Sequence, residues 1–147
     1  MIKKLKDIKF LANFSKLKKE KNKKIILCHG DFDFLHLGHI KHLKAAKKIG
    51  DYLIVSITGD KYMTKGYNRP IYTATERAEF LSTIDVVDYV YVDNNISAEN
   101  VIFQIKPSYF VKGNEYENLE KDLSENIKKE KKILIKVGGK IIFTDEK

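Results

Sequence analysis

The stretch from Cys28 to His42, CHGDFDFLHLGHIKH, gathers all four histidines of the chain, two aspartates two residues apart and two glycines. Three chemistries suit such a cluster: a metal site, a phosphate cradle, or a buried strand–turn–helix whose polar residues merely coincide. His36 and His39 stand three apart, a spacing that puts two side chains on one helix face. A zinc site needs three or four ligands, and no cysteine pair or His-Glu-x-x-His pattern supplies the rest. The metal identity therefore stays unknown and the metal reading is the weaker one. In the phosphate reading, the apolar run IILCH ends at Gly30 and a helix begins near Leu37. His36 and His39 then sit at its first turn, beside unpaired backbone N–H groups that attract anions. Gly38 between them lets phosphate oxygens approach the backbone. Two imidazole donors and a helix dipole would suit the charge that builds on a polyphosphate during displacement. The plainer alternative makes His36 a helix cap and His39 a core residue. The His-x-Gly-His spacing directly after an apolar strand and the turn Phe32-Asp33-Phe34-Leu35 favours the functional reading.

The elements that must hold this cluster are legible in outline. Asp7 is a plausible cap for a helix over Asp7–Lys19, although the stripe Ile2, Leu5, Ile8, Leu11, Phe14, Leu17 drifts around a 3.6-residue helix. IILCH reads as a buried strand, Gly30 to Leu35 as a loop, and Leu37 to Ile49 as a helix. Tyr52 to Thr58 is a second strand, Lys61 to Tyr72 an irregular loop, and Thr75 to Thr83 a helix capped by Thr73 or Thr75. DVVDYVYVD is a third strand, and Ser97 to Lys106 a helix stopped by Pro107. SYFVKG is a fourth strand, Leu119 to about Ile135 a charged helix, and KIIFTD a fifth strand. Continuous apolar strands alternating with helices imply an α/β fold, a parallel sheet covered on both faces.

At 147 residues, 43% hydrophobic and 33% charged, the composition is that of a globular domain. A lone cysteine, Cys28, the lack of a leader pattern and the lack of any long apolar run give the expectation of a cytoplasmic protein without membrane contact. Cys28 itself reads as core, and His29 and His42 as structural. The net charge of +8 invites a nucleic-acid reading. Yet the basic residues are lysines except Arg69 and Arg77, and they crowd solvated helical segments with few aromatics between them. No nucleic-acid partner is expected. The two arginines, able to grip phosphate bidentately, draw attention instead.

GDFDFLHLGHIKHLKAAKKIGDYLIVSIT resembles the first motif of the cytidylyltransferase-like nucleotidylyltransferases, the His-x-Gly-His superfamily. KGYNRPIYTATERAEFLSTIDVVDYVYVD resembles the next segment of heptose-phosphate adenylyltransferase domains, and IKPSYFVKGNEY and GGKIIFTD match later pieces. The likeness extends over roughly Lys23 to Asp145, nearest to the heptose-phosphate adenylyltransferase and glycerol-3-phosphate cytidylyltransferase branches. A helical segment over 1–22 precedes it, and the likeness implies a Rossmann-like nucleotidylyltransferase domain over 23–147, with about five parallel strands. The implied reaction is attack of a substrate phosphate on the α-phosphorus of CTP or ATP, with pyrophosphate released and Mg²⁺ accompanying the triphosphate. The acceptor would be a phosphorylated sugar or polyol for surface polysaccharide or lipid head groups, and a homodimer is implied as well.

By the same resemblance, His36 and His39 would bind the triphosphate. Gly30, Asp31 and Phe32 match positions around the phosphates and sugar, with Gly38 in the motif, and Asp33 matches an aspartate that supports the loop. Lys65 matches a lysine that reaches the transferred phosphate, with a solvated loop lysine as the plain alternative. Arg77 matches an arginine directed at phosphate or acceptor, while Arg69 matches the loop and would brace it. Lys112, Gly113, Asn114 and Glu115 match the segment that meets the base or the acceptor. The family usually continues past its last strand into a Ser/Thr-rich turn that closes over the phosphates. Here the sequence runs FTDEK, so the expectation is a truncated member that binds nucleotide weakly by itself, with a nucleotide-binding module lacking turnover as the alternative.

Overall fold

The computed structural model describes residues 2–63, 70–95, 97–113 and 124–144. Five strands form one sheet: β1 (Ile25–Gly30), β2 (Tyr52–Thr58), β3 (Tyr89–Asp93), β4 (Tyr109–Gly113) and β5 (Lys140–Thr144). All neighbours pair in parallel, in the order β3-β2-β1-β4-β5. Five helices are seen among the described residues: α1 (Ile8–Glu20), α2 (Leu37–Lys47), α3 (Ala74–Ser82), α4 (Glu99–Ile105) and α5 (Ser124–Val137). The covered parallel sheet expected from the alternation, with the Rossmann-like architecture that the resemblance implied, is what the chain adopts.

Each strand alternates its apolar side chains between two cores. Ile26, Cys28, Leu53, Val55, Ile57, Val90 and Val111 meet Leu43 and Ala46 of α2 and Ala78 and Leu81 of α3. Ile25, Leu27, Ile54 and Phe110 meet Leu11 of α1, Val101, Ile102 and Ile105 of α4, and Leu134 of α5. Burying one such side chain fully contributes about 1.5–3 kcal/mol, so both layers are fixed to the sheet. Cys28 is buried in the first core, as its place in the strand suggested.

Helix α1 starts where Asp7 accepts a hydrogen bond from the Phe10 N–H at 2.8 Å. The drifting stripe has its cost, since Leu11 is buried while Leu17 is half exposed. Ahead of α1, Leu5 bridges Val90 in parallel, and Lys6 N–H donates to the Val90 carbonyl at 3.0 Å. This covers the free edge of β3.

Element ends differ from the sequence reading where side chains compete for backbone. Asp85 to Asp88 forms a turn rather than the start of β3, because the Asp88 carboxylate accepts from the Leu53 N–H at 2.7 Å and from Lys47 Nζ at 2.6 Å. Helix α4 ends at Ile105 with Lys106 in the left-handed region (φ 53°), which turns the chain before Pro107. The expected helix start at Leu119 lies outside the described residues. No described helix is long and apolar enough to cross a membrane.

Candidate nucleotide site

The strand order reverses between β1 and β4, and ligands in open α/β sheets bind outside the carboxyl ends of the strands at such a switch point. The loop after β1 and the start of α2 lie there. Among α1 to α4, only α2 opens without a carboxylate. Asp7 caps α1, and the first turns of α3 and α4 carry Glu76 and Glu99, whereas α2 is capped by His36 with no acidic residue in its first turn. Its positive end, equivalent to roughly half a charge, is left for something else to neutralise.

The two histidines are locked to this helix start by a reciprocal cap. His36 Nδ1 accepts from the Gly38 N–H at 3.0 Å, and His39 Nδ1 accepts from the His36 N–H at 3.2 Å. An imidazole whose Nδ1 is an acceptor carries its proton on Nε2 when neutral. Both rings therefore present an Nε2–H donor on the side away from the backbone. Their centroids are 4.1 Å apart, His36 is exposed and His39 half-buried. The cap uses only Nδ1 of each ring, so a capping role does not exclude anion binding.

Gly38 serves this arrangement sterically. A Cβ there would sit 2.8 Å from His36 Cε1 and 3.0 Å from its Nδ1. We expect Gly38→Ala to swing the His36 ring away, cost about 1 kcal/mol of cap stability and lower turnover about tenfold to a hundredfold through misplacement of the donor. The imidazole nitrogen resonances of His36, followed with pyrophosphate release, check this.

Phe32 adopts φ 49°, a left-handed conformation that a non-glycine residue takes only when its surroundings hold it there. Its ring is buried beneath Gly30 and lies 5.5 Å from the His39 ring. It therefore supports His39 from the core side. Asp33 is buried and accepts from the Ile71 and Tyr72 N–H groups at 2.8 and 2.9 Å, which fastens the segment entering α3 to the β1–α2 loop.

Two expectations need correction. Arg77 was expected to face phosphate or acceptor, yet it is wholly buried. Its Nε donates to the Tyr72 carbonyl at 3.0 Å, and Nη1 to the carbonyls of Asp31 and Thr58 at 2.8 and 2.7 Å. Nη2 pairs with the Asp60 carboxylate at 2.8 Å. The guanidinium ties three loops together beneath the site. Lys112 was expected at the base or acceptor, but its Nζ lies 3.1 Å from Glu130 on α5, with both side chains nearly buried. Burial raises the Glu130 carboxyl pKa, and Lys112 opposes that rise. Gly113 is buried at the end of β4, in register with Thr144. Lys65, Arg69, Asn114 and Glu115 lie outside the described residues.

Sequence reasoning missed Asp60, Glu130 and the contact of His42, whose Nδ1 lies 2.9 Å from Thr144 Oγ1 and so joins α2 to the end of β5. It expected His29 to be structural. The His29 Nδ1 sits 2.6 Å from Ser56 Oγ, its partner in register on β2. Burial chiefly, with help from Lys112 and against Asp31, lowers the His29 pKa to about 4. The folded state therefore refuses a proton that the unfolded chain accepts near pH 6.5. Stability should fall as pH drops from about 6.5 to about 4, by up to about 3 kcal/mol. Urea unfolding at pH 7 and pH 4.5 should show His29→Gln losing less over this interval than the parent.

A family profile described as cytidylyltransferase-like matches residues 27–146. The chain belongs to that family. Among curated relatives, the "Bifunctional protein HldE" of a Nitratiruptor species is 36% identical over 138 residues, covering 92% of this chain and 30% of that protein. The protein of the same name from Sulfurimonas denitrificans is 42% identical over 101 residues, 67% of this chain and 21% of its own length. The chain thus spans less than a third of these relatives. A solved structure described as the lipopolysaccharide core biosynthesis protein from Thermoplasma volcanium superposes with a TM-score of 0.70 at 26% identity, covering 85% of this chain and 98% of its own. Pantoate-beta-alanine ligase from Francisella tularensis, at 19% identity and TM-score 0.60, shares the fold. Within the cytidylyltransferase-like family, the match spans the strand, cap and loop that build the histidine pair.

Proposed function

We propose that this cytidylyltransferase-like chain is a nucleotidylyltransferase that moves NMP from CTP or ATP onto a phosphorylated sugar or polyol and releases pyrophosphate. The observation that carries the reading is the carboxylate-free start of α2, with two Nε2–H donors fixed on it by reciprocal capping. The triphosphate would lie across that helix end. As the acceptor phosphate oxygen bonds to the α-phosphorus and the bridging oxygen of the leaving pyrophosphate departs, negative charge grows on the leaving group. His36 and His39 would meet that charge with donors held in place beforehand, so little reorganisation is needed.

Among the described residues no group of three His, Cys, Asp or Glu side chains converges to hold a metal. Mg²⁺ would accompany the triphosphate, held mainly by the substrate phosphates, as this ion prefers. When bound, the ion would neutralise phosphate charge. The solved structure described as a lipopolysaccharide core biosynthesis protein supports a sugar-phosphate acceptor feeding surface polysaccharide.

Pyrophosphate release from CTP and from ATP, each with a panel of sugar 1-phosphates and glycerol 3-phosphate, tests the reading. Release with one pair is expected, and it names base and acceptor together. Nucleotide binding without release from any pair would replace the enzyme by a nucleotide-binding module.

A further inference from the structure

On the face of the sheet opposite α2, helices α1 and α4 leave a groove of about 830 Å³ between them. Its floor is apolar, made by Ile8, Ala12 and Ile105. Its rim is cationic: Lys9, Lys16 and Lys19 from α1 and Lys106 at the end of α4. Glu20 is the one carboxylate among its lining residues. At its lower end the groove runs, through Lys19 and Lys106, into a second cleft that adds Lys23, Lys24 and Lys140.

The fold itself engages part of this charge. Lys19 Nζ donates to the Lys106 carbonyl at 2.7 Å and Lys106 Nζ to that of Phe103 at 3.0 Å, so helix ends take two of the cations. Burial chiefly, with the neighbouring Lys106, also holds the Lys19 pKa below its ordinary value. Beside Lys106, Phe103 stays half exposed.

We propose that the α1–α4 groove seats an acidic amphipathic helix of a partner protein. The lining residues run along all 13 residues of α1, a length of about 20 Å, enough for three to four turns of a second helix. Lys9 and Lys16 stand two turns apart, a spacing that carboxylates on one flank of such a helix would repeat. A second copy of this chain would bring lysines against lysines. A nucleic acid would waste the apolar floor and finds no aromatic platform among the lining residues.

The test uses the full chain and a fluorescent peptide of about fourteen residues, with leucines at helical spacing and glutamates on both flanks. A scrambled peptide of equal composition, duplex DNA and phosphatidylglycerol vesicles serve as the other arms. The amphipathic peptide should bind and shift the methyl resonances of Ile8, Ala12 and Ile105. The scrambled peptide should bind at least about tenfold more weakly. The double variant Lys9→Glu, Lys16→Glu should lose about tenfold in affinity, and Ala12→Phe, which fills the floor and keeps every charge, should lose binding too. Equal binding of both peptides, no methyl shifts, or preference for DNA or vesicles would overturn the proposal.

Discussion

Replacing His39 by alanine should lower turnover about a hundredfold to a thousandfold, the usual cost of one preorganised donor to a developing anion, with circular dichroism unchanged. The fold survives because His39 is only half-buried and belongs to the first turn of α2, away from the residues that anchor that helix. Two further variants separate its two nitrogens. In His39→Asn the amide oxygen can stand where Nδ1 stands and keep the bond from the His36 N–H, but nothing replaces Nε2–H. In His39→Gln the amide nitrogen reaches the Nε2 position. The glutamine variant should therefore recover part of the rate and the asparagine variant should not, while both keep the helix. If instead asparagine rescues, capping alone was the role of this histidine. Pyrophosphate release measured beside thermal unfolding distinguishes the two outcomes.

Arg77→Met should have the largest effect on stability, about 3–5 kcal/mol. It removes a buried cation and strands the carbonyls of Tyr72, Asp31 and Thr58, besides leaving Asp60 without its partner. Against a domain stability of about 5–15 kcal/mol, that loss is a large share. Arg77→Lys should recover less than half of it, since one ammonium cannot reach acceptors on three loops from a planar fork. Urea midpoints give the ranking. Loss of turnover in either variant should accompany displacement of the Asp31–Asp33 loop, seen as raised nucleotide KM. An arginine that touched phosphate would lower kcat with the fold intact.

Those two residues also mark how far the sequence could be read. His36, Gly38 and His39 were legible because strand and helix boundaries alone put them at a helix start, and the cap supplied the rest. Asp33 was expected to support the loop from the resemblance alone. Arg77 was read as a ligand because three of its four partners are main-chain carbonyls, on separate segments of the chain, and carbonyls leave no trace in side-chain identity. Lys112 was misjudged for a related reason. Its partner Glu130 stands on the next described helix, and a helical period cannot say which glutamate of a charged face turns inward. The five-strand alternation was easy to read, since buried parallel strands are continuous apolar runs, whereas the Asp85–Asp88 turn depended on one carboxylate choosing the Leu53 amide.

The strand order has a consequence for how the molecule comes into being. The central strand β1 takes β2 as one neighbour after a short crossover through α2, but waits for β4 until some eighty residues later in the chain. Everything that orients the histidine pair, from Ile25 to Ser82, is made first. At roughly 5–20 residues per second during synthesis, this half has several seconds before β4 and β5 emerge. Pulsed hydrogen exchange should find the β1–β2 amides protected early and the β4–β5 amides late. The bond between His42 and Thr144 would be among the later ones to form, so that α2 is born beside β1 and clasped to the far edge of the sheet only once β5 has emerged.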